Sequence, residues 1–493
     1  MTISIPNVPL SQKRPDVLID IDTTSGLRGA PSGAKKLLLI GMKLTAGTAT
    51  VETLLEVFSM TDARTLFGEG SQLANMIAAA FATNPGATMK VMAIAEPAGA
   101  VATGNVAISG TATGAGAATI TVAGRKVTIQ VDSGDSAATL ETKFVTRFGQ
   151  VKDLPVTAVG DGGLDRVNLS SRHKGTEVNQ IAILASTNAP GITLTPSGGF
   201  LTGGTGTEVY TNAFTVAKSD TFATYVIGAN DTTAIAALKT QLESESDALN
   251  QKNTMGFVGG YTKATAKADA ETQASTTNSP NIGVVAFRLT PSLPSELAAA
   301  LGAAEVFEED PARPYNGVIL RGVYMPTADQ VFTNTEQNTT LAKGVTPVIV
   351  ENGDAKIVRL VTTKTTTSSV EDFFLLDWTK LRQLFGARDD IRATFKISYP
   401  RHKLMNNPPS GLTPPLTLTP AIARSKVLER LRARADLGWL QSPDLVNPST
   451  GKTFASEIVA EVDAPNDRLN VSWPAVLVPG AHVIAHLARA TIV

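Results

Sequence analysis

The sequence predicts a multidomain α/β protein: a doubly wound α/β layer, interrupted by a β-rich insertion and followed by an α+β C-terminal region. Three observations point there. Short apolar runs alternate with helix-spaced stretches up to about residue 95 and again from about residue 206, the pattern of a mostly parallel sheet covered by helices. Between them the chain turns to Gly, Thr and Ala in short alternating runs, as a small β domain would. At 493 residues the chain is also too long for one ordinary core.

Taken in order, residues 1–30 are rich in Pro and polar residues around Val17, Leu18, Ile19, Asp20 and Ile21, and predict an extended arm holding one strand. Lys35–Gly41, KKLLLIG, predicts a buried strand. SQLANMIAAAF follows, with Leu73, Met76, Ile77, Ala80 and Phe81 at helical spacing and Ser71 placed to cap them. MKVMAIA, Met89–Ala95, predicts the next strand. The insertion, residues 96–205, offers a hairpin over Ala118–Val131, one helix near Ser136–Phe148, and the strand-like runs VTAV, RVNLSS and GITLTP. The layer resumes over 206–345, with strands at Phe222–Ala229, Thr254–Gly260 and Ile282–Phe287 and helices at Thr232–Asn250 and Pro294–Phe307. In the C-terminal region, 346–480, AKIVRLVTTKTTT predicts a Thr-rich strand and Glu371 to about Phe385 a helix. The clearest helix signal comes next: Thr419 as cap, Pro420 in the first turn, Gly438 beyond the end, and Val427, Leu428, Leu431 and Ala435 as the apolar stripe. Lys426, Arg430 and Arg434, four apart, make a basic stripe on its flank.

Composition excludes several functions. Hydrophobic residues are 43% and charged residues 18%, which suits packed domains rather than disorder. A formal net charge of −1 gives no global grip on nucleic acid or anionic lipid. No apolar run reaches the ~18–20 residues of a membrane helix, and the first residues do not read as a secretory signal. With no cysteine, disulfides, thiolate metal sites and Cys nucleophiles drop out. Folding in the cytoplasm is the expectation.

Enzyme motifs fail on inspection. NPSTGKTF, Asn447–Phe454, contains the Gly-Lys-Thr of a P-loop, but Val446 stands where the first glycine must curl the backbone around phosphate. The adjoining FASEIVAEVD alternates as a half-buried strand instead of starting a helix. The triplet predicts a turn. None of the four histidines, His173, His402, His482 and His486, lies in 31–95 or 206–345, so the layer cannot assemble a Ser-His-Asp set from its own residues. His482 and His486 have the spacing of a metal pair, but the glutamate of His-Glu-x-x-His is missing. No catalytic residue, cofactor site or metal site is expected.

The two ends raise a different possibility. Leu469, Val471 and Trp473 alternate with polar residues until Pro474. From Ala481 to Val493 the chain again looks like a strand, ending on Ile492-Val493. An apolar strand at a chain end needs a cover. It can pair within its own subunit or be donated to a neighbour, and the arm at 1–30 poses the same choice. Two such arms on one chain suggest a polymer.

Nearly the whole chain resembles the tail sheath proteins of Mu-like contractile-tailed bacteriophages and prophages. The resemblance is carried by IPNVPLSQKRPDVLIDID, LFGEGSQLANMIAAAF, DLPVTA, RHKGTEVNQI, DPARPYNGVILRGV and VRLVTTKTTT. It continues through YPRHKLM, LTPAIARSKVLERLRARADLGWL and EVDAPNDRLNVSWPAVLVPGAHVIA, in order and at matching spacing. It implies a non-enzymatic subunit of a helical sleeve around the tail tube, whose contraction drives the tube through the host envelope. It further implies a subtilisin-like topology for the layer, an outward-lying insertion, and an inner C-terminal region that receives strands from neighbours. The expected donated strands contain Val17, Leu18, Ile19 and Ile21 at one end and Val483, Ile484, Ala485, Leu487 and Ile492 at the other. Lys426, Arg430 and Arg434 are the expected tube-facing residues. The partners implied are other copies of the chain, the tail tube protein, and baseplate and terminator proteins, within a virion tail assembled in the host cytoplasm. A tail tube or capsid subunit is the alternative, and a P-loop ATPase the rival enzyme.

Overall fold

Six successive buried residues, Leu37–Met42, make the first strand, β1. Side chains alternate across a strand, so a continuous apolar run requires cover on both faces. Leu37 and Leu39 belong to one core cluster; Leu38, Ile40 and Met42 belong to another on the opposite face. The computed structural model describes residues 35–263, 265–326, 330–409 and 414–482.

The layer begins with β1, a short edge strand β2 (Leu54–Glu56), helices α1 (Met60–Phe67) and α2 (Gln72–Thr83), and β3 (Met89–Ile94). Ser71 caps α2 by accepting from Ala74 N–H. The insertion then supplies β4 (Val101–Gly110), β5 (Gly116–Val122), β6 (Arg125–Val131), α3 (Ala137–Phe148), β7 (Val156–Gly160), β8 (Arg166–Lys174), β9 (Ile183–Thr187) and β10 (Ile192–Pro196). Back in the layer come α4 (Thr211–Ala217), β11 (Thr224–Ile227), α5 (Thr232–Ser246), β12 (Met255–Gly259), α6 (Ala266–Thr277), β13 (Ile282–Ala286), α7 (Pro294–Phe307), α8 (Asn334–Ala342), β14 (Val345–Glu351) and β15 (Asp354–Ile357).

These strands form one eight-stranded sheet in the order β15-β14-β13-β12-β11-β1-β3-β2. The six central strands are parallel; β2 and β15 pair antiparallel at the edges. Helices α2 and α7 lie against one face with Val226, Phe257 and Val285, while α4 and α5 cover Tyr225, Ile227 and Val258 on the other. The layer is doubly wound. The insertion is antiparallel, a four-stranded sheet β10-β4-β8-β7 and a three-stranded sheet β6-β5-β9 around its own core, which also takes in Leu293 from the layer. Its β5–β6 turn sets both Ala123 and Gly124 at positive φ (47° and 78°), as a tight two-residue hairpin requires.

Past β15 come two small pairs, β16 (Thr366–Thr367) with β17 (Val370–Glu371), and β18 (Lys403–Leu404) with β19 (Thr417–Leu418). Between them lies the 21-residue helix α9 (Trp378–Ser398), and after them α10 (Pro420–Asp436), β20 (Val459–Asp463) and β21 (Arg468–Ser472). The N-terminal half of α9 packs into the layer through Trp378, Leu381, Leu384 and Phe385. Its later turns enter a separate small core, where Ile391 and Phe395 meet Val427, Leu431, Leu440, Ile458 and Ala475. At ~1.5 Å per residue α9 is a strut about 30 Å long joining layer to C-terminal lobe.

Strands β14 and β15 continue the main sheet past residue 345. Two expectations change. The strand read over AKIVRLVTTKTTT stops at Ile357; beyond it Val361 N–H turns to the Thr346 hydroxyl and Thr362 N–H to the Leu376 carbonyl. The helix expected from Glu371 begins only at Trp378, where Asp377 caps it by accepting from Thr379 N–H.

Candidate functional site

The C-terminal ribbon is the longest of three two-stranded sheets among the described residues. β20 and β21 pair antiparallel from Val459↔Ser472 to Asp463↔Arg468. Among the described residues no third strand joins either edge. One face rests on α10 through Ile458 and Val471, while Val459 is half exposed. A two-stranded ribbon that no further described strand joins is a template for strand addition.

The root of the N-terminal segment lies at the C-terminal end of α7, whose Glu305 also reaches α9, and the root of the C-terminal segment lies against the first turns of α9 itself. Lys35, the first described residue, reaches Glu305 Oε1 (3.3 Å) and the Glu308 carbonyl (2.6 Å). Glu305, fully buried on α7, also meets Arg382 Nε at 2.8 Å and accepts from the Thr224 hydroxyl, with Trp378 Nε1 at 3.5 Å. Burial alone would raise the Glu305 carboxyl; the charges of Arg382 and Lys35 and the Thr224 hydroxyl outweigh it and hold the group down to about 2. At the other end, residues up to His482 are pinned across α9. Gln383 donates to the Val478 carbonyl and accepts from Val478 N–H, both at 3.1 Å. His482 Nε2 bonds Asp377 Oδ2, and its Nδ1 faces Asn316 Oδ1 at 3.1 Å. Asp377 also pairs with Arg359 (3.0 Å) and is held down to about 2, burial being outweighed by His482, Thr379 and Arg359. Trp378 therefore stands between the two anchors, stacked on Phe257 with ring centres 4.3 Å apart.

The basic stripe is engaged inside the chain. Arg430 forms a two-pronged pair with Asp390 of α9 (3.0 and 2.8 Å), and Arg434 bonds the same carboxylate while stacking on Trp439. This fork clamps α10 to α9, and Asp390 is held below its usual range despite burial. Among the described residues Lys426 pairs with Glu429, three residues on, at 2.9 Å on the surface. The expected strand residues Val17, Leu18, Ile19, Ile21, Val483, Ile484, Ala485, Leu487 and Ile492 lie outside the described residues, as does His486.

The Gly-Lys-Thr triplet sits in a turn: Thr450 and Gly451 N–H both bond the Asn447 carbonyl, and Gly451 adopts φ +68°. The strand expected directly after it starts later. Phe454–Glu457 is a short 3-10 turn, because Glu457 swings back to bond Asn447 and Thr450, and β20 begins only at Val459. His173, from the insertion, docks on the layer. Its Nε2 accepts from Gln72 N–H (3.0 Å), so Nδ1–H donates to Glu96 (2.9 Å). The lone pair a general base would need is thus spent on a helix N-terminus. Among the described residues no cluster of three or more His, Asp or Glu could hold a metal, and no helix is long and apolar enough to cross a membrane.

Sequence reasoning did not single out Glu305, Asp377 or Asp390. An acid inside AAALGAAEVF is the one local signal for Glu305; its partners are 77 and 270 residues away, at Arg382 and Lys35.

Residues 203–363 match the family described as phage tail sheath protein central domain. The Mu-like prophage FluMu tail sheath protein of Haemophilus influenzae is 29% identical over 451 residues, covering 87% of this chain and 88% of that one. Among solved structures, a sheath tail protein from Desulfitobacterium hafniense aligns at 10% identity over 93% of this chain and 96% of its own (TM-score 0.48). One from Listeria innocua aligns at 14% over 91% and 93% (0.47). A chain of the anti-feeding prophage baseplate aligns at 11% over 97% and 100% (0.45).

Proposed function

We infer that this chain, which belongs to the phage tail sheath family, polymerises into the contractile sleeve that surrounds a tail tube and drives it through the host envelope. The observation that carries the reading is the match to the prophage sheath protein over 87% of this chain and 88% of that one. The open β20–β21 ribbon and the two terminal segments rooted beside each other supply the means of linking copies.

In this proposal residues near 16–22 and 481–493 are donated as strands to the ribbons of neighbouring copies. Val17, Leu18, Ile19 and Ile21 bury their side chains at one edge, and Val483, Ile484, Ala485, Leu487 and Ile492 at the other. Residues 1–30 and 481–493 are the linking arms, 96–205 the outer face, and the C-terminal region the inner face against the tube. The family resemblance suggests for the layer a likeness to subtilisin in topology only. No catalysis is assigned: the energy for contraction is stored when the extended polymer assembles as a metastable state. Tube, baseplate and terminator proteins are the further partners, and the host cytoplasm the place of assembly.

The tube-facing role proposed for Lys426, Arg430 and Arg434 is best tested at Lys426, since reversing Arg430 or Arg434 would break the clamp on Asp390. Exposed pairs such as Lys426–Glu429 contribute ~0–1 kcal/mol. Lys426→Glu is expected to leave the melting temperature unchanged while weakening co-assembly with tube at low salt. Co-sedimentation across a salt series measures this; undiminished co-assembly would rule the contact out.

Electron microscopy of polymers formed by the purified chain tests the function itself. Wide helical sleeves are expected. Thin tubes or closed shells would favour the alternative of a tube or capsid subunit.

A further inference from the structure

The winding of the main sheet reverses between β1 and β11: the chain leaves β1 toward β3 and later adds β11, β12, β13 and β14 on the other side. The crevice outside the carboxyl ends of two such strands is where open α/β sheets hold their ligands. In this chain the crevice is occupied by its own side chains.

Gln72, the first residue of α2, lies over the ends of both strands. A Cβ added at Gly228 would come within 2.4 Å of its carboxamide, so glycine there makes room for it. Gln72 Oε1 accepts from Met42 N–H at 2.7 Å, which fixes the orientation of the amide. Its Nε2 therefore donates to both Glu177 Oε2 and Glu208 Oε1 (the latter 3.0 Å). Glu177 follows β8 in the insertion, and Glu208 is in the segment that returns to α4. Glu177 Oε1 also accepts from Ser295 N–H (3.1 Å) in the first turn of α7, at the positive end of that helix. Glu208 Oε2 accepts from the Tyr210 hydroxyl, whose oxygen accepts from Ala229 N–H at 2.9 Å.

Both carboxylates are about 95% buried, with 4% and 5% exposure. Among the described residues neither has an ion-pair partner. The charged and titratable groups around them come from several elements. His173 of β8 touches the Gln72 backbone and is held by Glu96, whose own environment includes Lys174. Tyr210 bonds Glu208 directly, and Asp231, the cap of α5, adds negative charge. Glu296, next to Ser295 on α7, is already paired with Arg125 of the insertion at 2.8 Å. The hydrogens of the Gln72 amide point at both carboxylates, so the space between them suits a proton on one of the acids and not a metal cation.

We propose that Glu177 and Glu208, bridged by Gln72, form a proton-operated latch between the insertion and the α/β layer. The latch is closed while at least one carboxyl keeps its proton and loosened when both ionise. Burial, foremost, raises Glu177 to about 8 and Glu208 to about 7; the Glu208 charge adds to the first and Asp231 to the second. Groups raised above the ordinary carboxylate value of about 4.5 stabilise the fold fully below that pH. Their contribution is lost as pH climbs through 7 to 8. The latch is thus a device for letting the insertion move at alkaline pH, independent of how copies are linked.

The chain has no cysteine, so spin labels can be placed at will. We would label Thr146→Cys on α3 and Thr272→Cys on α6 in the full chain and measure their distance distribution by pulsed electron resonance at pH 6 and pH 9. One narrow distance is expected at pH 6 and a broadened or shifted one at pH 9, with a midpoint between pH 7 and 8. In the Glu177→Gln/Glu208→Gln background the narrow distance should persist at both pH values. If that double variant does not fold, Glu208→Gln alone, which keeps one of the two positions neutral at every pH, should likewise keep the narrow distance at pH 9. The same distribution at both pH values in the unsubstituted background would overturn the proposal, as would broadening at pH 9 in the double or the single variant like that of the parent.

Discussion

Glu305→Ala is expected to lower the unfolding free energy by about 3–5 kcal/mol, the cost of breaking a buried ion cluster by removing one sign of charge. Arg382 keeps only 6% of its surface, and Lys35 sits against the same carboxylate, so the substitution leaves two cations without the buried anion they share. It also frees the Thr224 hydroxyl on β11 and removes the contact to Trp378, so that α7, α9 and the central sheet loosen together. Denaturant unfolding at pH 7 measures the loss, and a change under about 1 kcal/mol would contradict the assignment. The double change Glu305→Leu/Arg382→Met should cost far less than Glu305→Ala, since desolvation of both charges disappears with them. The sign with pH is fixed by the same environment. Glu305 is held down to about 2, so its contribution is present above about 4.5 and is lost as pH falls toward 2. The Glu305→Ala chain should therefore differ most from the parent at neutral pH and converge with it in acid.

Deleting Ala481–Val493 is expected to abolish sleeve formation while leaving the subunit folded. A donated strand of about five residues adds a few ladder hydrogen bonds, each contributing ~0.5–1.5 kcal/mol net. Fixing its backbone costs ~1–2 kcal/mol per residue. The ladder alone barely breaks even. Val483, Leu487 and Ile492 must supply the surplus, at ~1.5–3 kcal/mol for each side chain fully buried, and the deletion removes all three. Donated side chains would be buried in another copy and not in their own subunit, so the melting temperature of the separate subunit should hardly move. Asp377 would lose His482 in this deletion; a second chain ending at His482 keeps that bond and should fail to polymerise equally. Sleeves of normal length from either truncated chain would remove strand donation as the link.

Much of the local structure was legible because it rests on neighbouring residues. Ser71 before LANMIAAAF, Pro294 opening α7, and Thr419-Pro420 opening α10 each mark a helix start by chemistry within one turn. The run KKLLLIG announced a strand covered on both faces. What stayed hidden depends on distance along the chain. The 3-10 turn at Phe454–Glu457 forms because Glu457 returns to Asn447 and Thr450, and an alternating pattern carries no trace of that. Arg430 and Arg434 look like a free basic stripe until α9 places Asp390 between them, 40 and 44 residues away. Nor does the sequence alone show that Lys35 and His482 are anchored on either side of Trp378.

That co-anchoring gives the sleeve a mechanical reading. One terminal segment starts from Glu305 of α7, which also pairs with Arg382 of α9, and the other from the start of α9 itself; α9 runs from the layer into the C-terminal lobe that carries the ribbon. Under the proposed strand donation, a subunit would rotate as a rigid body while its links to neighbours hold, since many weak contacts repeated through a lattice keep it together.

The most direct test is a near-atomic electron cryomicroscopy map of the assembled sleeve, traced through the residues before Lys35 and after His482. The account predicts that the β20–β21 ribbon of each copy is extended by strands from other copies. If each copy's terminal segments instead lay back on its own body, with no backbone pairing between copies, the account would be wrong.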